Sequence, residues 1–166
     1  MKVIAFDWGH TVMDECRVRE VPLTERTIHL MPGVSDVLPR LSAPLALWAN
    51  TRTAAEGDVR QWLGRAGLDG PFRWVITSVD AGARKPARQF FSYALARCDA
   101  AADEVLFVGN QLNTDVAGGT GAGISTVWLS GPEYRSADDA PCGASPTCTI
   151  QTLYDLPALL HLRGWR

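Results

Sequence analysis

Short apolar runs alternate along the chain with longer stretches of helical periodicity. Val3–Phe6 is β-branched and aromatic, and stops at Asp7. Leu45–Ala49 (entered through Pro44), Trp74–Thr77, Val105–Val108 (ended by Gly109) and Thr126–Leu129 (ended by Ser130-Gly131-Pro132) repeat that form. Thr147–Ile150 predicts a sixth strand at the sheet edge. Runs this continuous belong to strands covered on both faces. Between them lie helical patterns. Val34–Leu41 follows Pro32-Gly33. Thr53-Ala54-Ala55-Glu56 has the spacing of a capping box, and the helix it opens runs to a stop at Gly67. Pro86 to about Cys98, the glycine-rich Asp115–Ala122 and the amphipathic Leu153–Leu162 complete the set. The strict alternation predicts one α/β domain over residues 1–166, a doubly wound, Rossmann-like parallel sheet of five or six strands. Any ligand site should then lie beyond the carboxyl ends of the strands. Met13–Leu30 is the least patterned stretch, and Glu133–Pro146 predicts a mobile loop.

Composition narrows the class. With 166 residues, 46% of them hydrophobic, the chain can bury a real core. Sixteen basic residues against eighteen acidic ones give a net charge of −2 with no basic stripe, which argues against a nucleic-acid partner. The longest apolar runs are strand-sized, so no membrane span is expected. The apolar stretch before Asp7 is too short for a signal-peptide core, and a soluble cytoplasmic protein is expected. Cys16, Cys98, Cys142 and Cys148 match no zinc spacing. They read as free thiols, with a Cys142–Cys148 disulfide open to an oxidised sample.

Candidate chemistry sits at four strand ends. Asp7 ends the first, with Thr11 four residues on; a carboxylate there can serve as nucleophile, metal ligand or cap of the next turn. The second ends in Asn50-Thr51-Arg52-Thr53, whose amide and hydroxyls could grip an oxyanion or cap a helix. Lys85, before Pro86, can place a point charge in the crevice. The fourth runs Gly109-Asn110-Gln111-Leu112-Asn113-Thr114-Asp115, with oxygen side chains suited to a hard cation such as Mg²⁺. Their convergence on one sheet edge, rather than any one residue, suggests a site.

In this setting the sequence resembles the haloacid dehalogenase (HAD) superfamily. Phe6-Asp7-Trp8-Gly9-His10-Thr11-Val12 resembles its first motif, D-x-D-G-T after a strand. Leu45–Thr51 resembles the second, a strand ending in Ser or Thr. Gly82-Ala83-Arg84-Lys85-Pro86 resembles the third, and Val105–Asn110 with Asp115 the fourth, G-D-x₄-D. Met31-Pro32-Gly33-Val34 also recurs in the family, and the resemblance spans about residues 2–160. It implies a Mg²⁺-dependent phosphohydrolase working through an aspartyl-phosphate. Asp7 would be the nucleophile. Lys85, Thr51, Asn50 and Thr11 would hold the phosphoryl oxygens. Mg²⁺ would be bound by Asp7, the Gly9 carbonyl, Asn110 and Asp115.

The departures carry as much as the matches. The family's second motif-one aspartate, its general acid/base, is Gly9 here, and the glycine after it is His10. The first motif-four aspartate is Asn110. The motif-two hydroxyl aligns with Ala49, which leaves Thr51 as a substitute. A positioned proton donor is worth about 10²–10⁴-fold, so a weak phosphatase is expected unless the His10 imidazole stands in. Only 32 residues, Val12–Ala43, separate Thr11 from Pro44, and another 32, Thr53–Arg84, separate Arg52 from Lys85. Neither gap holds a full cap domain. The expected protein is therefore a capless HAD-like hydrolase with an open, impaired site. It would act on a small phosphorylated substrate or a phosphorylated macromolecule, and a homo-oligomer that covers the site stays open. One alternative is a catalytically retired phosphate- or partner-binding homologue. A third is phosphonatase- or dehalogenase-like chemistry, which resembles Asp7-Trp8 but relies on a cap.

Overall fold

Every strand pairing in the sheet is parallel, and the order is β3-β2-β1-β4-β5-β6. These strands are β1 (Val3–Asp7), β2 (Leu45–Ala49), β3 (Phe72–Thr77), β4 (Val105–Gly109), β5 (Ser125–Leu129) and β6 (Cys148–Ile150). The computed structural model describes residues 2–14, 27–68, 70–135 and 143–165. Cys16, Cys142 and most of Met13–Leu30 lie outside them, so the Cys142–Cys148 pairing does too. Cys98 and Cys148 are free thiols, and burial pushes the Cys98 thiol up to about 11. Among the described residues no helix is long and apolar enough to cross a membrane.

The chain lays down β1, β2 and β3 in one direction, then returns to place β4 on the other side of β1. The order reverses between β1 and β4. A crevice opens at the carboxyl ends of strands flanking such a reversal, because the crossovers on either side depart to opposite faces. The helices are α1 (Val34–Val37), α2 (Glu56–Arg65), α3 (Ser78–Ala81), α4 (Arg88–Cys98), α5 (Ala117–Gly121) and α6 (Leu156–Leu162). All five residues of β1, of β2 and of β4 are buried, as expected for strands covered twice.

Alternation divides the core. Ile4, Phe6, Leu45, Leu47, Leu106 and Val108 face α1, α2 and α6. Val3, Ala5, Ala46, Trp48 and Phe107 face α4. There Trp48 packs against Phe107, Phe91 and Phe90 at ring separations of 5.1, 6.1 and 6.5 Å. Close approach of α5 to α4 requires Gly118, where a Cβ would stand 2.4 Å from the Phe91 ring.

Several boundaries differ from the sequence expectation. The helix α2 begins at Glu56, and Thr53 does not cap it. Instead Asp58 accepts from the Ala55 N–H (3.0 Å), and Asp80 of α3 accepts from the Glu56 N–H (2.9 Å). A tertiary carboxylate has displaced the local hydroxyl. The segment after Pro86 becomes helical only at Arg88, and β3 starts two residues early at Phe72. The stretch from Asp115 is not one helix: a π turn over Leu112–Val116 leads into α5. Leu153–Asp155 likewise forms a 3₁₀ turn ahead of α6. The expected loop from Glu133 opens in a 3₁₀ turn, Pro132–Tyr134, whose Tyr134 side chain is fully buried and donates to the Pro32 carbonyl (2.6 Å). Residues 136–142 of that loop lie outside the described residues.

Candidate active site

Asp7 is the last residue of β1, on the same side of the strand as Val3 and Ala5. Its carboxylate therefore emerges over the α4-facing core at the point where the sheet reverses. Lys85 arrives from the turn before α4 and is buried to 3% exposure. Its Nζ donates to Asp7 Oδ1 (2.5 Å), to Asp115 Oδ1 (2.8 Å) and to the Trp48 carbonyl (2.9 Å). All three ammonium hydrogens are thus accounted for. The ammonium also lies 5.0 Å from the Phe107 ring centre, within cation–π range.

The other end of the ion-pair chain depends on β4. Asp115 sits in the π turn, and that extra-wide turn swings its carboxylate back over the strand end. A Cβ on Gly109 would stand 2.5 Å from Asp115 Oδ2, so only glycine leaves room there. Asp115 Oδ2 accepts the Gln111 N–H at 3.1 Å. Asn110, 2% exposed, donates from Nδ2 to the Tyr134 carbonyl (2.7 Å) and accepts from the Thr11 hydroxyl (3.2 Å).

Two carboxylates share one ammonium, which leaves one unit of negative charge in a dry place. The electrostatics follow. Burial pushes the Asp7 carboxyl up to about 7; repulsion from Asp115 adds to this, and Lys85 opposes it. Burial works against the charged form of Lys85 too, but Asp115 and Asp7 outweigh it and hold the ammonium above its ordinary range. Excess negative charge among oxygen-only donors is an arrangement that fits a hard divalent cation in kind. Among the described residues no group of three or more His, Cys, Asp or Glu side chains converges to hold a metal. A cation would thus rely on two carboxylates, Asp7 and Asp115, with the neutral oxygens of Asn110 and Gly9.

The cleft above this triad is open to solvent and lined by Asp7, Trp8, Gly9, His10, Asn50, Lys85, Gln111 and Thr114. Not every predicted residue reaches it. Asn50 lines the cleft, but both ends of its amide are spent on Lys85: Oδ1 accepts the Lys85 N–H (2.8 Å) and Nδ2 donates to the Lys85 carbonyl (3.0 Å). It positions the lysine. The Thr51 hydroxyl donates to the Ala54 carbonyl (2.6 Å) in a local turn and does not line the cleft, and Thr11 is fully buried behind Asn110. His10 does line it, at a backbone φ of +55° that glycine adopts far more readily. That backbone requirement is a physical reason for a glycine at this point in the D-x-D-G-T pattern.

Three supporting residues carried no signal in the sequence reading. Ser78, one residue beyond β3, exchanges two hydrogen bonds with the Thr51 backbone (2.9 Å each), and Arg84 donates to the Thr51 carbonyl (2.8 Å). Together they tie the ends of β2 and β3 to the Lys85 turn. Tyr134 contributes a backbone carbonyl, which leaves no residue-type signature. Ser78 alone was open to detection, as one more polar residue at a strand end.

Residues 82–156 match the HAD-hydrolase-like family, a span that contains Lys85, Asn110 and Asp115. The chain belongs to the haloacid dehalogenase superfamily. Among HAD relatives, the pyrimidine 5'-nucleotidase YjjG of Escherichia coli is 35% identical over 133 residues, which is 78% of this chain and 56% of that protein. The ribulose-1,5-bisphosphate 5-phosphatase of Halopiger xanaduensis is 32% identical over 138 residues, 79% of this chain and 56% of that protein. The chain thus spans little more than half the length of these curated HAD relatives. An uncharacterized protein from Listeria monocytogenes has a solved structure with a TM-score of 0.83 and 25% identity, covering 99% of each chain. A 2-haloacid dehalogenase from Pseudomonas syringae shares the HAD fold at 18% identity, with a TM-score of 0.75 over the full length of both chains.

Proposed function

We propose that this chain is a weak, capless HAD-type phosphohydrolase that works through an aspartyl-phosphate on Asp7. The observation that carries the reading is the Lys85 bridge: one buried ammonium bonded at 2.5 Å to Asp7 and at 2.8 Å to Asp115, at the sheet's reversal point and beneath an open cleft. A buried, perturbed carboxylate with a specific charge partner at the wall of a cleft is a candidate for chemistry. The named activities of the curated relatives, on a nucleotide and a sugar bisphosphate, support phosphoryl hydrolysis of a small phosphorylated molecule as the reaction. The short Val12–Ala43 and Thr53–Arg84 segments support a single domain without a cap, and so an open site for a small phosphorylated substrate or a phosphorylated macromolecule.

The chain's own groups divide the work. Asp7 attacks phosphorus with a carboxylate oxygen, and the bond from phosphorus to the leaving oxygen breaks. Lys85, held through its backbone by Asn50, keeps its charge beside the incoming phosphoryl group. Water then attacks the phosphorus of the aspartyl-phosphate, the bond from phosphorus to the Asp7 oxygen breaks to restore the carboxylate, and the water's proton leaves with the phosphate product. Asp7, the Gly9 carbonyl, Asn110 and Asp115 would hold Mg²⁺, which supplies charge neutralisation to the phosphoryl oxygens.

The test is turnover of p-nitrophenyl phosphate and acetyl phosphate with Mg²⁺. We expect slow release, or a burst that stalls, abolished in Asp7→Asn. No turnover and no Asp7-dependent labelling would sink the reading. A second reading rests on Gly9, Ala49 and Asn110: a binding module that grips a phosphorylated partner without turning it over. Phosphate binding that survives in a protein with no Asp7-dependent chemistry would favour it.

A further inference from the structure

We infer that this site selects phosphates whose leaving group departs without a proton, acyl and aryl phosphates, over alkyl phosphate esters. The inference rests on the phosphohydrolase reading above and names its substrate class. When an Asp7 oxygen bonds to phosphorus, the leaving oxygen takes the electron pair of the broken P–O bond. A carboxylate or a nitrophenolate carries that charge unaided. An alkoxide does not, and needs a proton delivered in the transition state.

Among the described residues the cleft is poor in such donors. Asp7 is the nucleophile. Lys85 directs all three hydrogens at fixed acceptors, the Asp7 and Asp115 carboxylates and the Trp48 carbonyl, so none is aimed at a leaving oxygen. Both ends of the Asn50 amide are taken by the Lys85 backbone. The Thr114 hydroxyl donates to Gln111 Oε1 at 2.8 Å, and neither group is an acid near neutral pH. Gly9, two residues beyond the nucleophile, has no side chain. Trp8 is 4% exposed and stacks on Trp62 at 6.5 Å. Among the described lining residues that leaves the His10 imidazole, on a backbone at φ +55° and with only 3% of its surface exposed. An imidazole this enclosed has little freedom to follow a leaving oxygen out toward the open side of the cleft.

The experiment is kcat/KM for a series of phosphates with the full chain and Mg²⁺: acetyl phosphate, aryl phosphates from p-nitrophenyl to unsubstituted phenyl, and glycerol phosphate. We expect rates to fall steeply as the leaving group becomes more basic, with glycerol phosphate about 10²–10⁴-fold below p-nitrophenyl phosphate beyond any difference in KM. Gly9→Asp, which adds a carboxyl beside the nucleophile, should narrow that gap at least tenfold. Glycerol phosphate turned over within tenfold of the aryl esters would overturn the inference, whether or not His10→Asn then removes that activity. Asp7-dependent turnover with a flat leaving-group dependence would defeat the selectivity and leave the phosphohydrolase standing. No Asp7-dependent turnover on any substrate would defeat both.

Discussion

The two sides of the cleft are built differently. On the α4 side, Lys85 is fixed at both ends: its ammonium makes three hydrogen bonds, and its backbone N–H and carbonyl are held by one amide, that of Asn50. Asp115 is seated on a strand end that only glycine permits. On the β1 side, the turn after Asp7 carries Gly9, with nothing to offer beyond its backbone, and His10 in a left-handed conformation. The half that holds charge is over-determined, whereas the half that would manage protons is thin. A site of this kind should bind and accept a phosphoryl group better than it expels a basic leaving group.

Removing the centre of the rigid half should have the largest effect. Lys85→Ala leaves two buried carboxylates facing each other, and a broken buried ion pair costs about 3–5 kcal/mol. Urea unfolding should show that loss, and the proposed phosphatase activity should be lost with it. A loss under about 1 kcal/mol would mean that water reaches the carboxylates, and the contrast between the two sides would disappear.

Next comes the pH dependence of stability. Asp7 binds its proton more tightly when folded, at about 7 against an ordinary 3.8, so the folded state carries more protons between those values. The stabilisation tied to protonated Asp7 is complete below the lower value and is lost as pH rises through the upper one. The slope cannot exceed about 1.4 kcal/mol per pH unit for one proton. In the metal-free protein, the difference between wild type and Asp7→Asn should follow that decline and level off above pH 7. A flat difference would show that Lys85 alone neutralises Asp7.

Much of this was legible in the sequence, because parallel strands announce themselves and their carboxyl ends share one rim. Asp7, Lys85 and Asp115 stood out as strand-end residues that also match the HAD motifs, and the structure brings them within hydrogen-bond reach. What was hidden depends on direction rather than residue type. Thr51 has the right hydroxyl, but a local turn aims it at Ala54. Asn50 has the right amide, but it faces the Lys85 backbone instead of the space above. The π turn that aims Asp115 has no composition of its own, and Tyr134 holds Asn110 through a carbonyl that every residue possesses. The Thr53 capping signal was real but local, and Asp80, 24 residues from its partner Glu56, outcompeted it.

Asn50→Ala sharpens the comparison by loosening the rigid half without touching its charges. It strands the Lys85 N–H and carbonyl, partly buried groups whose lost partner costs about 1–3 kcal/mol. Because Asn50 acts through Lys85, kcat should fall more than KM rises. Equal losses in both would place the Asn50 amide on the substrate instead.

The smallest effect is expected at the thin half. His10→Gly removes the side chain from the one cleft-lining residue that holds a left-handed backbone. Relief of that conformation is worth about 1 kcal/mol, and it works against whatever the enclosed imidazole gains from its surroundings. The lost burial of the imidazole should outweigh that relief, leaving thermal or urea stability about 1–2 kcal/mol below wild type, well short of the Lys85→Ala loss. Set beside Lys85→Ala, that difference measures how unequally the two sides are made. A loss above about 2 kcal/mol would mean that the imidazole is anchored as firmly as the ammonium across the cleft. The turn after Asp7 would then be a second rigid wall, with the strain of its backbone sustained by the contacts of its side chain.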